Sequence, residues 1–498
     1  MQMRITKEGS LRRAASGSLP IYWATGNDYA VFYAPRQVCV VDATAAPAAL
    51  RHIQWLATRS PREAPADSGT RDVTWRAADR VVRAARAAAF DAAEASRQEF
   101  VPQCVTVSVN NQCNMRCRYC YSQPDARANG AVSPEAVRAA TRLVAQVCAR
   151  RSIPLTMVFH GGGEPTLSKS QVDQFLCIAR EESSQSGVRL QTYIATNGAV
   201  SEKTARWLAT QFDLVGVSCD GPPAIQDQQR PGRNRQSFSK RVGRTMSTLQ
   251  RHGRPFHIRA TISKETFDHQ EEIVTYLTDR HAPSEIRIEP VYASRSGEVP
   301  PAAEQAAAFV NSFLAAQAIG AARDVPVTTS ITRPDALYGP YCNMLRHVVN
   351  LVPGDVVSGC FLDSRPDEVV RRGTQMGSLD LGRGEFQLEA NRIRSLKALC
   401  SRRPAECNDC PCGWQCTFGC PDVCVLELSA AAHSPEGVTG SFRCLVNRLL
   451  LERVIHEAAG EAWARTPKDQ CRDVWDAQKK LSVAVCRGGY GLACEVSA

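Results

Sequence analysis

The middle of the chain alternates between short apolar runs and longer amphipathic segments. Between residues 102 and 292, each apolar run of strand length is followed by a segment with apolar residues at helical spacing. One such segment opens with Ser133, a typical helix N-cap, followed by Pro134 at the first helical position. This alternation is typical of a parallel α/β structure. Six strands are predicted, at 105–110, 154–160, 188–195, 213–219, 256–262 and 285–291.

The residues before this region show a different pattern. Strand-like runs at 21–24, 29–33 and 38–41 precede helical segments at 47–57 and 77–97. Three small strands followed by helices are compatible with a winged-helix-like module, and equally with a decorative hairpin. The pattern therefore predicts a small N-terminal α+β module whose exact type stays open.

The residues after this region are less periodic. A helix is predicted around 304–319, and a second one at 445–463. Between them, residues 342–444 are rich in cysteine and contain few periodic elements. This pattern predicts a segment whose fold is held together by metal clusters.

The composition excludes several classes of protein. Of the 498 residues, 44% are hydrophobic and 22% are charged, which is ordinary for a globular protein. The formal net charge of +10 is modest, and no basic block with interleaved aromatics predicts binding of nucleic acid. No apolar run approaches the length of a membrane span, and the N-terminal residues show no signal peptide. A cytoplasmic location is therefore expected.

The cysteine content points to metal chemistry. The chain contains 21 cysteines, and about half of them are closely spaced. In a reducing cytosol, close spacing of cysteines indicates metal binding rather than disulfides. Five scattered cysteines are instead predicted to be small buried apolar residues: Cys39, Cys104, Cys148, Cys177 and Cys219.

The tightest cysteine group follows the first predicted strand of the α/β region. Cys113, Cys117 and Cys120 are separated by three and then two residues. Three thiolates in one loop can hold three irons of a [4Fe–4S] cluster, which leaves the fourth iron open for chemistry. Zinc is the alternative, but zinc usually takes a fourth ligand, and the next cysteine is Cys148.

A glycine-rich stretch follows the second predicted strand. It reads His160-Gly-Gly162-Gly163-Glu164-Pro-Thr. Consecutive glycines allow a backbone to approach a ligand closely, and a carboxylate at a strand end can bind an ammonium group. Taken alone, the stretch is also compatible with a tight turn.

Together the two stretches resemble the radical S-adenosylmethionine (radical SAM) superfamily. The spacing of the three cysteines, with Tyr119 before the last, resembles that family's cluster signature. Gly162, Gly163 and Glu164 resemble the motif that cradles the amino group of SAM. The resemblance implies a partial (β/α)6 barrel of the TIM type.

The same resemblance implies further contacts to SAM. In this family the ends of the third and fourth strands contact the SAM carboxylate and ribose. The matching residues here are Thr196, Asn197, Ser218 and Asp220, and Tyr119 is also assigned to the cofactor. Arg230 and Arg259 are candidate partners of the carboxylate, with a structural role as the alternative.

The C-terminal cysteines resemble the SPASM domain, which binds two auxiliary [4Fe–4S] clusters. The resemblance assigns one cluster to Cys342, Cys360 and Cys420, and lists Cys400, Cys412 and Cys424 as surplus thiols. It assigns the other cluster to Cys407, Cys410, Cys416 and Cys444. Three [4Fe–4S] clusters are expected in total. A zinc ribbon is the alternative, but it would explain only four of these cysteines.

The resemblance implies a function. The chain is expected to be a SPASM-type maturase that reductively cleaves SAM to a 5′-deoxyadenosyl radical. The radical would abstract hydrogen from a ribosomally made precursor peptide to form an oxidative crosslink. One alternative is an anaerobic sulfatase-type maturase that forms formylglycine on a protein, and another is a non-catalytic iron–sulfur electron carrier. A flavodoxin or ferredoxin is the expected reductant, and the catalytic acid or base is not assigned.

The predicted domain organisation follows these motifs. Residues 1–100 are expected to form a module that is a candidate for binding the leader of a precursor peptide, and 101–295 are expected to form the radical SAM core. Residues 296–341 bridge to a SPASM domain at 342–450, and 451–498 form a C-terminal helix and tail.

Overall fold

The fold is described from a computed structural model of the chain. The chain divides into two compact units. The first unit takes its residues from Met1–Gln98, Ile331–Tyr341 and Ser401–Arg487, and the second from Glu99–Ser330, Cys342–Cys400 and Gly488–Ala498. The structure describes residues 10–15, 19–59, 72–97, 99–122, 130–291, 305–332, 343–380, 382–400, 407, 409–413, 416, 442–465 and 472–473.

Strands and helices are numbered in chain order. The strands are β1 (Arg12–Arg13), β2 (Tyr22–Thr25), β3 (Tyr29–Ala34), β4 (Gln37–Asp42), β5 (Cys104–Val107), β6 (Leu155–Phe159), β7 (Leu190–Thr196), β8 (Leu214–Ser218), β9 (Phe256–Ile262), β10 (Glu285–Pro290), β11 (Val327–Thr328), β12 (Val348–Val352), β13 (Val356–Ser358), β14 (Gln375–Asp380), β15 (Glu385–Leu388) and β16 (Arg472–Asp473). The helices are α1 (Ala46–Ala57), α2 (Val73–Arg97), α3 (Pro134–Arg151), α4 (Lys169–Gln185), α5 (Glu202–Gln211), α6 (Pro223–Gln229), α7 (Ser239–Arg251), α8 (Gln270–Arg280), α9 (Ala306–Ala322), α10 (Pro366–Arg372), α11 (Ala390–Cys400) and α12 (Phe442–Arg465). Among these helices, none is long and apolar enough to cross a membrane.

The first unit is built on an antiparallel sheet that is buried on both faces. Its strand order is β1-β2-β3-β4-β16. Side chains alternate across a strand, so Phe32 packs on one face with Ile53 of α1 and the apolar side of α2. The neighbouring Tyr33 packs on the other face with Leu451 of α12 and with Cys412. The N-terminal strands therefore share one core with the cysteine-containing C-terminal segment.

The second unit contains the parallel sheet. Its strand order is β11-β10-β9-β8-β7-β6-β5-β12-β13-β14-β15, and every pair from β11 to β12 is parallel. Helices α3–α5, α7 and α8 lie in the connections between strands β5 to β10. The six predicted strands correspond to β5–β10. The predicted α/β fold is confirmed, and a partial barrel is compatible with this sheet.

One expectation for the cysteine-rich part was wrong. Residues 343–400 contain regular structure rather than few periodic elements, because β12 extends the parallel sheet and β13–β15 continue it as antiparallel strands. The β12–β13 hairpin turns at Gly354 (φ 86°) and Asp355 (φ 57°). Left-handed residues of this kind are typical of tight hairpins. The apolar run 348–352 and this turn together carried a strand signal.

Candidate functional site

The predicted site residues follow neighbouring parallel strands. The cysteine loop comes after β5, the glycine-rich stretch after β6, Asn197 after β7, and Asp220 after β8. Since these strands are parallel neighbours in the order β5-β6-β7-β8, their carboxyl ends meet at one edge of the sheet. The structure therefore brings the four sequence motifs together.

The glycine-rich stretch lies directly against the residues that precede Cys113. The backbone N–H of Gly163 donates to the Asn110 carbonyl at 2.7 Å, and that of Glu164 donates to the Gln112 carbonyl at 2.6 Å. A Cβ at Gly163 would lie 2.0 Å from the Gln112 oxygen. At Gly162, which has a φ of 67°, a Cβ would lie 2.5 Å from the Asn110 oxygen. Only glycine fits this close approach.

Glu164 is a buried carboxylate held by four hydrogen bonds. Its Oε1 accepts from the backbone N–H and hydroxyl of Thr166 at 3.1 and 2.7 Å, and from the Thr196 hydroxyl at 2.8 Å. Its Oε2 accepts from the backbone N–H of Asn197 at 2.7 Å. Burial nevertheless raises the pKa of Glu164 above its ordinary value, although these hydrogen bonds act to lower it.

The surroundings of Glu164 fit an ammonium ligand. Its side chain caps the short helical turn at Pro165–Ser168, which is a structural role. Within the described part of the chain, however, no lysine or arginine pairs with this carboxylate, which is only 2% exposed. A buried carboxylate without a cation is costly, and a bound ammonium group would offset that cost. The amino group of SAM has the required chemistry.

Asn197 joins Glu164 to the cysteine loop. While its backbone N–H donates to Glu164, its side-chain Nδ2 lies 3.5 Å from the Cys113 sulfur and 2.8 Å from Asn114 Oδ1. Its own Oδ1 accepts from the backbone N–H of Ala199 at 2.9 Å. The side chain is therefore fixed from both ends. The first cysteine and the buried carboxylate are held by one residue.

The three cysteines of the loop are electrostatically coupled to one another. Burial raises the pKa of Cys113 and raises that of Cys117 to about 12, and each is raised further by Cys120. In the described residues, no three cysteine, histidine or acidic side chains are close enough to hold a single metal ion. Cysteines of a [4Fe–4S] cluster each bind a different iron, so their sulfurs need not converge on one point. The binding of a cluster by these three cysteines stays a prediction.

A second buried carboxylate, Asp220, fixes the other side of the cysteine loop. Tyr119 donates its hydroxyl to Asp220 Oδ2 at 2.6 Å, and Gln229 donates its amide to the same oxygen at 3.0 Å. The backbone N–H of Thr261 donates to Oδ1 at 3.0 Å, and Arg230 lies 3.7 Å from it. Burial raises the pKa of Asp220, which is fully buried. Both carboxylate oxygens of Asp220 therefore accept hydrogen bonds from other groups of the protein.

This network gives Asp220 and Tyr119 a structural role that the sequence did not indicate. Arg230 donates to the Tyr119 hydroxyl at 2.5 Å, so this arginine also belongs to the network. The side-chain oxygen of Gln226 accepts from the backbone N–H of Asp220 at 2.7 Å. The predicted contacts of Asp220 and Tyr119 with SAM stay predictions.

Arg259 lies on β9 and is partly buried. Ser218 of β8 and Arg259 of β9 are paired in register. Within the described residues, no acceptor pairs with the Arg259 side chain. Burial and the Arg259 charge lower the pKa of His160 to about 3. Burial and the charges of Arg287 and Arg259 lower the pKa of His257 to about 3, so both imidazoles stay neutral near pH 7. A guanidinium such as that of Arg259, with no acceptor in the described part of the chain, is suited to bind an anion.

The described cysteines of the predicted second auxiliary cluster lie in the first unit. Cys407, Cys410 and Cys416 form a compact loop, in which Cys410 N–H donates to the Cys407 carbonyl at 3.3 Å. Cys444 lies on α12 and is near enough to raise the pKa of Cys410. A hydrogen bond with the surplus Cys412 outweighs this and lowers the pKa of Cys410 to about 7. The assignment of these four cysteines to one cluster stays a prediction.

The other predicted auxiliary cluster is described only through Cys360. This cysteine follows β13 and accepts a hydrogen bond from Arg372 at 3.3 Å. Cys342 and Cys420 lie outside the described residues. The same holds for Cys424 among the surplus thiols.

Sequence reasoning missed three amides that build the site. Asn110 donates to the Glu164 carbonyl at 3.1 Å, and Asn114 donates to the Ala199 carbonyl at 3.1 Å. Gln229 holds Asp220, as described above. Two of the three flank Cys113 within four residues, so a search of the cysteine loop for amide side chains would have found them.

The comparisons with known proteins agree with this geometry. Residues 107–277 match the family model of the Radical SAM superfamily. A cysteine-type anaerobic sulfatase-maturating enzyme of Clostridium perfringens is 24% identical over 175 residues, which cover 34% of this chain and 46% of the relative. A serine-type anaerobic sulfatase-maturating enzyme of Klebsiella aerogenes is 24% identical over 168 residues, which cover 33% of this chain and 41% of the relative. The match spans less than half the length of these relatives.

Solved structures show a similar fold. Native anSMEcpe with bound AdoMet superposes with a TM-score of 0.55 at 15% identity, covering 72% of this chain and 100% of that one. The same protein with AdoMet and the Cp18Cys peptide gives a TM-score of 0.55 at 16% identity, covering 72% of this chain and 99% of that one. Residues 107–277, which contain the cysteine loop and the buried Glu164, match the Radical SAM superfamily, and these solved structures share its fold.

Proposed function

We propose that this chain is a radical SAM maturase that forms an oxidative crosslink in a ribosomally made precursor peptide. The observation that supports it most directly is that Asn197 contacts both the glycine-rich stretch and the cysteine loop. One end of this residue donates to Glu164, and the other lies at hydrogen-bonding distance from the Cys113 sulfur. A SAM molecule bound through its amino group at Glu164 would therefore lie beside an iron held by the cysteine loop.

The residues of the site take distinct roles in this proposal. Cys113, Cys117 and Cys120 hold three irons of a [4Fe–4S] cluster. Glu164 binds the amino group of SAM, and Arg259 binds its carboxylate, because Arg259 is paired in register with Ser218 at the end of β8 and no acceptor for its side chain lies among the described residues.

The surrounding polar residues keep the cofactor oriented. Ser218 stands next to Arg259 in register and supplies a hydroxyl donor. Thr196 and Asn197 fix both oxygens of Glu164, and they are only 2% and 6% exposed. Because these groups are buried and already hydrogen-bonded, little reorganisation is needed when a ligand arrives.

The bound cofactors supply the difficult chemistry. Reduced by one electron from a flavodoxin or ferredoxin, such a cluster with SAM provides a 5′-deoxyadenosyl radical that removes a hydrogen atom from the substrate. A crosslink requires the peptide to lose a second electron and a proton as well. The protein's part is to orient the peptide and to exclude water from the site.

The auxiliary clusters would accept that second electron. Cys407, Cys410, Cys416 and Cys444 are proposed to hold one cluster, and the charge of Cys444 acts to raise the pKa of Cys410. Cys360 is proposed to hold the other, with Cys342 and Cys420. Three clusters in total follow from this assignment.

A sulfatase-type maturase is the second candidate function. It is favoured by the sequence matches, because the relatives named above are sulfatase-maturating enzymes. The two candidates differ in product: formylglycine is an aldehyde that reacts with a hydrazide probe, whereas a crosslinked peptide carries no aldehyde. Short precursor-like reading frames beside this one would favour the crosslinking function, and a neighbouring sulfatase would favour the other.

The N-terminal strands are proposed to bind the leader of the peptide. An extended peptide can add to the edge of a sheet as a further strand. The edge of β4 already accepts such a strand, because β16 pairs with it antiparallel at Val40 and Cys39. Helix α2 beside it has five arginines and three carboxylates, so its charge favours an acidic leader.

The first prediction concerns the binding of SAM at Glu164. Glu164→Gln removes the negative charge and places an NH₂ group opposite a donor, so the affinity for SAM should fall roughly ten- to a hundredfold, as expected for loss of a charged hydrogen bond. Calorimetric titration of anaerobically reconstituted protein measures this. Glu182→Gln is the matched control, since Glu182 is equally buried but is bound by Arg138 and Arg142. Equal affinity in native protein and Glu164→Gln would contradict the assignment.

The second prediction concerns cluster content. Reconstituted protein should contain about twelve irons and cleave SAM when reduced. Replacing Cys113, Cys117 and Cys120 together by alanine should abolish cleavage and leave about eight irons, whereas Cys148→Ala should change neither, because this buried thiol lies on α3. Iron and sulfide analysis is the measurement. An iron content that levels off near four per chain, with zinc present, would contradict the prediction of auxiliary clusters. Failure of the native protein to cleave SAM would favour the electron carrier.

The third prediction concerns the edge of β4. Ending the chain after Arg465 removes β16, so a synthetic acidic leader peptide should bind more tightly, by a few-fold to a hundredfold. This range corresponds to about two backbone hydrogen bonds that the peptide no longer has to displace. Fluorescence anisotropy measures the affinity, and a leader with proline at alternate positions is the control because it cannot pair as a strand. Unchanged binding after truncation would argue against strand addition at this edge.

Deleting residues 1–98 is not a clean test of the same proposal. That deletion would remove Tyr22 and Tyr33, which share a core with Leu451 and Cys412. The loss of peptide binding could then result from exposure of the C-terminal helix and the cysteine loop.

A further inference from the structure

The cysteine loop is paired with a second loop at the carboxyl edge of the sheet. Met115 forms an isolated antiparallel bridge with Gly232. The backbone N–H of Arg116 donates to the Pro231 carbonyl at 2.7 Å. Residues 229–232 therefore run beside the cysteine loop, in the connection between β8 and β9.

Both loops present cations to solvent. Arg116 and Arg118 flank Cys117, and both are exposed. The stretch that continues from the paired segment adds four further exposed cations: Arg233, Arg235, Lys240 and Arg241. We call these six residues the basic surface. It is formed by the cysteine loop itself and by the loop that is paired with it.

The second loop is compact because Phe238 folds back on it. This ring is buried, and a Cβ at Gly232 would lie 2.5 Å from it. The guanidinium of Arg241 lies over the same ring, 5.2 Å from its centroid. Arg241 therefore stands beside the turn that carries Arg233 and Arg235.

Acidic groups near the basic surface are already engaged. One oxygen of Asp227 accepts from the backbone N–H groups of Phe238 and Ser239 at 3.1 Å, and the other accepts from two serine hydroxyls. Glu265, which shares a small pocket with the cysteine loop, is paired with Lys264 at 3.9 Å. Five of the six cations of the basic surface, all except Arg118, form no ion pair within the described residues.

The backbone of the second loop is strained where it presents its arginines. Asn234 and Arg235 have φ angles of 56° and 57°, a left-handed conformation that is unfavourable for residues with a Cβ. Strain of this kind persists where the surrounding structure or a function requires it. Both side chains are exposed, so burial of these side chains does not compensate for the strain.

The alternative is that these cations belong to an ordinary solvated surface. The whole chain contains 60 lysines and arginines against 50 acidic residues, so exposed cations also occur elsewhere. Arg151 at the end of α3 and Arg189 before β7 are examples at the amino edge of the sheet. The basic surface differs from them in its place, because it surrounds the loop that is proposed to hold the cluster.

We propose that the basic surface is the docking site of the reductant, an acidic protein that carries one electron. This inference rests on the proposed function, in which the cysteine loop holds a cluster that must be reduced. Complementary charge speeds the encounter of two proteins and fixes their orientation. An acidic carrier seated on these six cations would place its redox centre beside the cysteine loop. In the electron transfer, flavodoxin hydroquinone loses one electron to become the semiquinone, and the oxidised cluster gains that electron.

Three double variants test the role of charge. Arg233→Gln with Arg235→Gln should slow reduction by an acidic flavodoxin roughly tenfold at low salt, because electrostatic steering is weakened. Added salt should slow this variant less than the native protein, since salt screens the same attraction. Arg233→Lys with Arg235→Lys keeps both charges and should react at nearly the native rate. Arg151→Gln with Arg189→Gln removes the same charge at the opposite edge and is the matched control.

The measurement is stopped-flow absorbance of the full, anaerobically reconstituted chain, mixed with increasing concentrations of flavodoxin hydroquinone. Photoreduced deazariboflavin is the reference reductant, because it is small and uncharged and needs no docking site. Fluorescence anisotropy of labelled, oxidised flavodoxin reports the complex itself without electron transfer, and its affinity should fall together with the rate.

Each outcome has one interpretation. Slower reduction and weaker binding of flavodoxin in the glutamine variant alone, with an unchanged rate for deazariboflavin, support the inference. A native rate in the glutamine variant would overturn it, and so would an equal loss in the lysine variant. Weaker binding of a synthetic acidic leader peptide, with unchanged reduction by flavodoxin, would assign the surface to the leader and also overturn it. A native protein that forms no cluster reducible by deazariboflavin would instead contradict the proposed function.

Discussion

The candidate site depends on the burial of one carboxylate. Glu164 is withdrawn from water at the end of β6, and its two oxygens take hydrogen bonds from Thr166, Thr196 and Asn197. Its pKa is raised despite these bonds, so they do not fully offset the loss of hydration. A cationic ligand would offset the rest. The fold therefore favours the binding of a cation beside the cysteine loop.

A second carboxylate supports the opposite side of that loop. Asp220 ties Tyr119, which lies between two cysteines, to Gln229 and to the backbone of Thr261. Asn197 performs the equivalent task for Cys113. Each end of the cysteine loop is therefore attached to the end of a different strand of the parallel sheet. This attachment explains how a loop without regular structure can present its cysteines in a fixed arrangement.

The sequence predicts the strands and motifs well because their signals are local. Apolar runs of strand length identified β5–β10, and the glycines beside Glu164 indicated a close backbone approach that the structure shows. The contacts between distant side chains were not predictable, because they depend on which elements pack together in the fold. One example is the use of both Asp220 oxygens inside the protein. The shared core of Tyr33 and Leu451 likewise joins residues far apart in the chain, which no periodic pattern reports.

The central claim is that SAM binds with its amino group at Glu164 and next to an iron of the cysteine-loop cluster. Electron–nuclear double resonance on the reduced protein, with SAM carrying ¹⁵N in its amino group, tests it most directly. We expect a hyperfine coupling from this nitrogen to the reduced cluster, and we expect it to disappear in the variant that lacks Cys113, Cys117 and Cys120. A reduced cluster that shows no nitrogen coupling, in protein saturated with SAM, would contradict the claim.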